Sequence, residues 1–501
     1  MKFKDLIPGT GKLVPASPLT KPGQQPTPRQ IYQSRFNHGP NLGSMFVLEK
    51  WIFDGLFQGS QSGGSELDAV TATVARDGID GARKKFEDHW ASYMSDDDWN
   101  WLRNKGVTGV RVPVGFWDIN NGAFTSDTPF ERYAKVYSHA WDLYKSLVID
   151  RANQYGISVL VDLHGLPGGA NDQEHSGTSS RKAELWSQSK YRNIALNVLE
   201  FMATDLKSKD NVSGIQVLNE APYVFAPSDQ EKFYSKAIAR IRLVNSDIPI
   251  MISDGWNLNT IADWVREQDS KIGDYATTGI LIDTHVYKCF SDDDKRKPPS
   301  QLIADVENAI PDTTGVDVIV GEYSCVLDGA SYSRESCNRD EIVMRYGRKQ
   351  NDHFYRRARA GVYFWTYKFE HGSGGEWGFR EMIDRQCIPV YPTASIKSND
   401  ASQEAFQRAS SQSISQHRDY WVSQDNKKDW QIWRFEEGFK TGWNDARTFD
   451  EFNRSELGRL KAWAKSRLGE HVKEKGYSEL VWSWTHGFMQ GVDRYVEFSR
   501  S

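Results

Sequence analysis

The chain has 501 residues, of which 39% are hydrophobic and 26% charged, with a formal net charge of −5, enough for one large domain and a smaller one. The negative balance and the lack of a long basic run exclude an electrostatic nucleic-acid binder, and no stretch approaches the apolar run of a transmembrane segment. Aromatics reach 13%, including 18 Trp, which suits either a Trp-rich core or sugar-stacking platforms.

Residues 1–39 form a Pro-rich N-terminal arm, with Pro8, Pro15, Pro18, Pro22, Pro26 and Pro28 spaced by glycines. Such an arm is extended, draped over the fold or disordered. Its first residues hold no apolar signal core. The four cysteines, Cys289, Cys325, Cys337 and Cys387, match no zinc spacing. Both points suggest a cytoplasmic protein with reduced thiols. Residues 1–40 carry Lys2, Lys4, Lys12, Lys21, Arg29 and Arg35 against Asp5 alone. A mitochondrial location is therefore the alternative, weakened by the prolines.

From about residue 40, apolar strand-like runs alternate with helical patterns. The predicted strands are Val107–Phe116, Ile157–His164, Val212–Glu220, Ile248–Trp256, Ile280–Tyr287, Val316–Ser324 and Ala360–Lys368, with a poorly patterned first strand near Phe46–Leu48. Helical spacing fills segments such as Ala134–Tyr155 and Arg181–Lys207. This is the order of an α/β (β/α)₈ TIM barrel over residues 40–396. A doubly wound sheet would want a Gly-rich phosphate loop after an early strand, and none is present. The barrel pattern fades near Ala394–Ser395. Ser398–Gln412 reads as a linker or a solvated helix start, and the C-terminal region 397–501 as an α-helical extension. Within it, Trp433…Gly438…Gly442 repeats as Trp482…Gly487…Gly491. Glycines at i and i+4 let helix backbones approach closely, which predicts a tight helical hairpin; a protein-interaction surface is the alternative.

Two strands end in a carboxylate: Ile215-Gln216-Val217-Leu218-Asn219-Glu220 and Val318-Ile319-Val320-Gly321-Glu322. A buried parallel strand that ends so puts its acid at the C-terminal mouth of the barrel, where the chemistry of this fold takes place. Facing carboxylates are the equipment for breaking a glycosidic bond. Other strand ends carry Arg111, His164, Asn219, His285, Tyr287 and Trp365. Singly, such residues serve as core histidines or structural ion pairs; convergence on one mouth points to a site. A retaining glycosidase needs one carboxyl that holds a proton near neutral pH and one that stays ionised. Arg111 and Tyr287 would keep Glu322 ionised. Asn219 would bond the sugar 2-hydroxyl, and Trp365 would lie beneath the ring.

The ordered set Asn41-Leu42-Gly43, Leu48-Glu49, His89-Trp90, Val110–Trp117, Asp162–Gly168, Leu218-Asn219-Glu220, His285-Val286-Tyr287, Gly321-Glu322-Tyr323-Ser324 and Phe364–Lys368 resembles glycoside hydrolase family 5 of clan A. More narrowly, it resembles the fungal exo-β-1,3-glucanase branch, over roughly residues 40–392. The resemblance implies Glu220 as acid/base, Glu322 as nucleophile, and a glucose subsite lined by Arg111, His164, Asn219, His285, Tyr287 and Trp365. It implies Glu49 on sugar hydroxyls at the closed end of the pocket, Glu174 in place of an Asp that touches the terminal glucose, and no metal or organic cofactor. Phe290 matches one jaw of an aromatic clamp on the leaving-group sugar, while Gln173 stands where the branch has the other. Gly43-Ser44-Met45 replaces the branch's Gly-Gly-Trp.

The resulting expectation is a retaining, exo-acting β-glucosidase or glucan β-1,3-glucosidase that releases terminal glucose by double displacement, with a β-glucoside or β-glucan as its partner. The lost clamp residue favours the alternative of a small intracellular glucoside or a glycolipid. An alternative of another class is a carbohydrate-binding or scaffold protein without activity.

Overall fold

The computed structural model describes residues 13–60, 63–390 and 398–500. Eight strands form one sheet in which every neighbouring pair is parallel: β1 (Asn37–Pro40), β2 (Gly109–Gly115), β3 (Ser158–Gly165), β4 (Val212–Gln216), β5 (Ile250–Ser253), β6 (Ile280–Lys288), β7 (Val318–Leu327) and β8 (Gly361–Phe364). β1 pairs with β8, and the sheet closes on β2 through an Asn41–Arg111 bridge and the Thr108 N–H bond to the His38 carbonyl at 3.0 Å. The result is a (β/α)₈ TIM barrel with helices outside.

The barrel wall is buried on both sides, which is why its strands read as unbroken apolar runs. Val110, Val112 and Val114 of β2, with Val159, Val161 and Leu163 of β3, belong to the core shared with the helices. The opposite faces of β3 and β6 read Leu160-Asp162-His164 and Leu281-Asp283-His285. Leu160 and Leu281 join Met251, Ile319 and Tyr363 in a separate apolar plug. The aspartates lie above the plug and the histidines above those, so each strand climbs from hydrocarbon to charge toward the mouth.

The first strand differs from the prediction. It is Asn37-His38-Gly39-Pro40, and Phe46-Val47-Leu48 is an irregular, fully buried segment without strand pairing. Its hydrophobicity reflects burial under the helix Glu66–Tyr93, whose Glu66 carboxylate accepts the Leu48 N–H at 2.7 Å. Gly39 is required in β1 because a Cβ there would meet the Gly109 carbonyl oxygen at 2.1 Å.

Residues 1–12 of the Pro-rich arm and the expected barrel end at Ala394–Ser395 lie outside the described residues. From residue 13 the arm drapes over the fold. Leu13 and Leu19 are buried, Ala16 and Ser17 donate to the Thr277 and Ser246 carbonyls, and Thr20 bonds Ser466. Ser398–Gln412 is no linker but the first part of a long helix, Asn399–Gln424. Three helices follow: Ile432–Glu451, Leu460–Lys475 and Val481–Arg500.

The repeated glycines build a parallel helix pair rather than a hairpin. Cβ atoms at Gly438 and Gly442 would meet the Trp484 and Phe488 carbonyls, and at Gly487 and Gly491 those of Phe435 and Phe439, each at 2.1 Å. The two contact sets are related by a shift of one repeat, so the pair is nearly two-fold symmetric. Helix Leu460–Lys475 carries the chain back between them, a connection the spacing of the repeat does not reveal. These helices share a core of Phe435, Phe439, Trp443, Trp463, Trp484 and Phe488. They pack on the base of the barrel, opposite the mouth. The Gly458 and Arg459 N–H groups bond the Ser34 carbonyl, and Lys461 donates to the Thr313 and Val316 carbonyls.

Candidate active site

At the C-terminal end of the strands lies a cavity of about 680 Å³. Glu49, His164, Asn219, Glu220, Tyr287, Phe290, Glu322 and Trp365 line it, so eight of the predicted residues meet at one mouth. Arg111 and His285 lie beneath its floor and touch it through their partners. One carboxylate oxygen each of Glu220 and Glu322, with a ring nitrogen of His285, lie within 4.8 Å of one another. Among the described residues around the cavity, these three lie close enough to hold a metal ion together.

Arg111 organises the floor. It is fully buried, and it makes four hydrogen bonds and a close ion pair. Nε bonds Gln216 at 2.9 Å; Nη1 bonds Asn41 at 2.8 Å and Glu322 at 2.9 Å; Nη2 bonds Asn219 at 2.7 Å and pairs with Asp162 at 3.0 Å. The planar fork suits such convergent acceptors, which an ammonium does not. Burial alone would lower its pKa, but Asp162, Glu322 and Asp283 drive it above the ordinary arginine value. The Tyr287 hydroxyl donates to the other oxygen of Glu322 at 2.8 Å.

His164 Nδ1 bonds Asp162 at 2.7 Å, and its Nε2 lies 3.3 Å from Asn219 Nδ2. Since Arg111 occupies the Asn219 oxygen, the amide nitrogen donates and His164 Nε2 accepts. His285 bonds Glu220 through Nδ1 at 2.9 Å and Asp283 through Nε2 at 3.1 Å, with Glu322 3.5 Å from Nδ1. Burial opposes its charge, but Glu322 and Asp283 hold its pKa well above the ordinary histidine value. The aspartates of the Leu-x-Asp-x-His pattern are thus the anchors of both histidines. The period-two repeat announces them, although the search for strand-end residues passes them over.

Glu220 is not on its strand. β4 stops at Gln216, and Glu220 stands four residues further with φ of 46°, a left-handed conformation costing roughly 1–2 kcal/mol for a non-glycine residue. Asn171 Nδ2 grips its carbonyl at 3.1 Å, and the next N–H, of Ala221, bonds Ser253 Oγ at 3.1 Å. Such strain gathers at functional sites. Glu322 lies within β7, which continues to Leu327, and Trp365 follows the last residue of β8. Gly43 lets the chain pass the Trp365 ring, where a Cβ would sit 3.0 Å from Cζ2. Glu49 accepts the Trp51 indole N–H at 2.9 Å, and burial raises its pKa.

Glu174 is not brought into the cavity. Its carboxylate faces Ser179 at 3.2 Å and Arg181 at 3.4 Å. The next residue, His175, takes the inward position, with Nε2 3.2 Å from Glu220 Oε2. Burial pushes the Glu220 carboxyl up, but the hydrogen bonds and charges of His175 and His285 outweigh it and hold the group well below the usual carboxylate range. The sequence reading missed His175, Trp51, Trp256 and Trp377, which complete the wall with Asn171, Asp172, Gln173 and Pro222. Trp377 comes from a short 3₁₀ turn after β8 and has no sequence signal.

A barrel with two carboxylates facing each other across its mouth has the architecture of a glycoside hydrolase. A family model described as cellulase (glycosyl hydrolase family 5) matches residues 73–367, and one for the glucan 1,3-beta-glucosidase 3 C-terminal domain matches residues 402–499. The chain is 35% identical to an uncharacterized glycosyl hydrolase of Saccharomyces cerevisiae, over 99% of this chain and 98% of that protein. It is 32% identical to glucan 1,3-beta-glucosidase 3 of Schizosaccharomyces pombe, over 88% of this chain and 92% of that protein. It shares its barrel fold with the crystal structure of rutinosidase from Aspergillus niger, at a TM-score of 0.56 and 17% identity, over 71% of this chain and 98% of that one. The protein belongs to glycosyl hydrolase family 5.

Proposed function

We propose that this glycoside hydrolase is a retaining, exo-acting β-glucosidase that removes terminal glucose from a β-1,3-glucan or oligosaccharide. One observation supports the mechanism: a single nitrogen, His285 Nδ1, reaches both carboxylates, at 2.9 Å to Glu220 and 3.5 Å to Glu322, so the two acids stand close together. Retaining enzymes hold their carboxyl groups roughly 5–5.5 Å apart, whereas inverting enzymes leave about 6.5–9.5 Å for a water. Glu322 is the nucleophile, oriented by hydrogen bonds from Arg111 to one oxygen and from Tyr287 to the other. Glu220 is the acid/base. The bond from C1 to the leaving oxygen breaks as Glu322 bonds C1, and a proton passes through Glu220 to the leaving group. Water then reverses the sequence. Asn219 Nδ2, only loosely held by His164, is free to turn to a sugar 2-hydroxyl. Trp365 forms the platform and Glu49 takes hydroxyls at the closed end. The name of the fission-yeast relative supports the β-1,3 linkage.

One feature favours a second reading, an apolar aglycone such as that of a glycolipid. Gln173 stands in place of an aromatic jaw, and bulky apolar side chains lie open at and beside the mouth: Phe290 at 63%, and Tyr223 and Phe225, just beyond Glu220, at 59% and 89% exposure. For location we propose the cytoplasm, a reading supported by four free cysteines. Among the described residues, no helix is long and apolar enough to cross a membrane.

The test is hydrolysis of aryl β-glucosides beside laminari-oligosaccharides, with Glu322→Gln as control. Cleavage of both, lost in the variant, supports the glucan reading. Cleavage of the aryl glucoside alone supports the apolar aglycone. Cleavage of neither favours a carbohydrate-binding protein without activity, and an active Glu322→Gln refutes the mechanism.

A further inference from the structure

The environment of Glu220 poses a problem for its proposed role. An acid catalyst must hold a proton near its working pH, yet the two imidazoles that bond this carboxylate favour its anion. We infer that His175 is the proton partner of Glu220: it holds the acid's proton while the site is empty and returns it when the leaving oxygen arrives. The inference rests on Glu220 being the acid/base.

The two histidines are not equivalent. His285 is held by Asp283 through one nitrogen and by Glu220, with Glu322 near, through the other. It is fixed among three carboxylates and has no reason to release a proton toward one of them. His175 reaches a single carboxylate oxygen, Glu220 Oε2, through Nε2. Its Nδ1 is buried and has no hydrogen-bond partner among the described residues, so no second acceptor stabilises a charged ring. The neutral ring left when Nε2–H departs keeps its proton on Nδ1; an acceptor there would favour the imidazolium, as Asp283 does on the second nitrogen of His285, and without one only the Glu220 contact holds the extra proton on His175.

The transfer moves one proton and leaves the pair's net charge unchanged. The His175 Nε2–H bond breaks and an O–H bond forms on Glu220 Oε2. That proton then passes to the glycosidic oxygen as its bond to C1 breaks and Glu322 bonds C1. In the second half, the attacking water gives a proton to Glu220, and Nε2–H re-forms. His175 touches no reacting atom, so it is a positioning residue that sets the ionisation of Glu220.

The charged and titratable groups facing His175 are Glu220, Glu49, Glu322 and the His164 ring, whose centroid lies 5.2 Å away. Burial pulls the His175 pKa down, and bonding and charge from Glu220, then Glu49 and Glu322, lift it to about 9. The single proton shared by His175 and Glu220 is then lost only on the alkaline side of neutrality.

The experiment is the pH profile of kcat/KM for phenyl β-glucoside, a poor leaving group, in the wild type, His175→Asn and His175→Gln. The wild type should keep its activity until the pH approaches the His175 value, and both variants should lose theirs at least about one pH unit lower. At neutral pH they should fall about tenfold or more on this substrate, yet little on 2,4-dinitrophenyl β-glucoside, whose departure needs no proton. An unchanged alkaline limb with only KM raised would overturn the inference and make His175 a wall of the sugar pocket. Nitrogen-15 spectra of the wild type and Glu220→Gln give a test that needs no His175 variant. His175 should titrate on the alkaline side of neutrality in the first and lower in the second; the same titration in both would overturn the pairing. Glu220→Gln kinetics separate the two levels. Equal losses on both aryl glucosides would defeat the acid/base reading itself, whatever His175 does.

Discussion

Arg111→Lys keeps a buried positive charge and removes the guanidinium fork, so it tests whether geometry or charge holds the floor of the site. Arginine makes five contacts: hydrogen bonds to Gln216, Asn41, Glu322 and Asn219, and an ion pair with Asp162. Lysine has three donors on one nitrogen, so at least two of these contacts must lapse. A lysine that keeps Gln216 and Asp162 gives up the bonds to Glu322 and Asn219, leaving them only Tyr287 and His164 respectively. Hydrogen bonds to charged groups contribute about 1.5–3 kcal/mol each. Losing both in the transition state costs about 3–6 kcal/mol, or a fall in kcat/KM of about 10²–10⁴. The assay is kcat/KM on an aryl β-glucoside, with a thermal melt to verify the fold. A folded variant within about threefold of wild type would show that the cation alone suffices and refute the geometric argument.

Three further outcomes are expected. Gly438→Ala and Gly487→Ala each set a Cβ 2.1 Å from a carbonyl oxygen of the partner helix; each should destabilise the C-terminal helices by about 1–3 kcal/mol in a melt, with activity per folded molecule unchanged. Burial pushes the Glu66 carboxyl up to about 8, against the pull of the Leu48 N–H and the Tyr137 hydroxyl. Its unfolded value is about 4.3, so between these values the folded state binds more protons and stability falls as pH rises, by at most about 1.4 kcal/mol per pH unit; Glu66→Gln should flatten that slope in melts across the window. Gln173→Phe should lower KM for laminaritriose by about five- to tenfold, the value of one aromatic contact near 1 kcal/mol, and leave phenyl β-glucoside unaffected.

Seven of the eight strands were legible because both faces of the barrel wall are buried, so sequence hydrophobicity and structure coincide. β1 was not, because what Asn37-His38-Gly39-Pro40 supplies is close approach: its central glycine meets the Gly109 carbonyl where no side chain fits. Phe46-Val47-Leu48 misled for the converse reason, since a buried loop and a buried strand both look apolar. Most of the candidate site was legible because strand ends of a barrel converge whatever the loops do. What failed was within loops. Glu174 and His175 are neighbours in a 3₁₀ turn, and the turn's backbone decides which faces inward. No residue pattern encodes that decision, so the acid was named and the histidine beside it was missed. The paired glycines encode close helix contact but not direction, so a parallel pair was read as a hairpin.

The charges around the cavity explain why that one missed residue matters. Asp162, Asp283, Glu220 and Glu322 share a small buried volume with Arg111, His175 and His285. Buried carboxylates persist only when paired. Arg111 pairs with Asp162 and Glu322 directly, and His285 is divided between Asp283 and the two glutamates. Among the described residues Glu220 pairs with no arginine, and it shares His285 with Asp283 and Glu322. Its charge state therefore depends on the remaining cation within reach, His175, which stands on a loop rather than a strand. The nucleophile takes its charged partner, Arg111, from a barrel strand, whereas the acid takes one of its two partners, His175, from a loop.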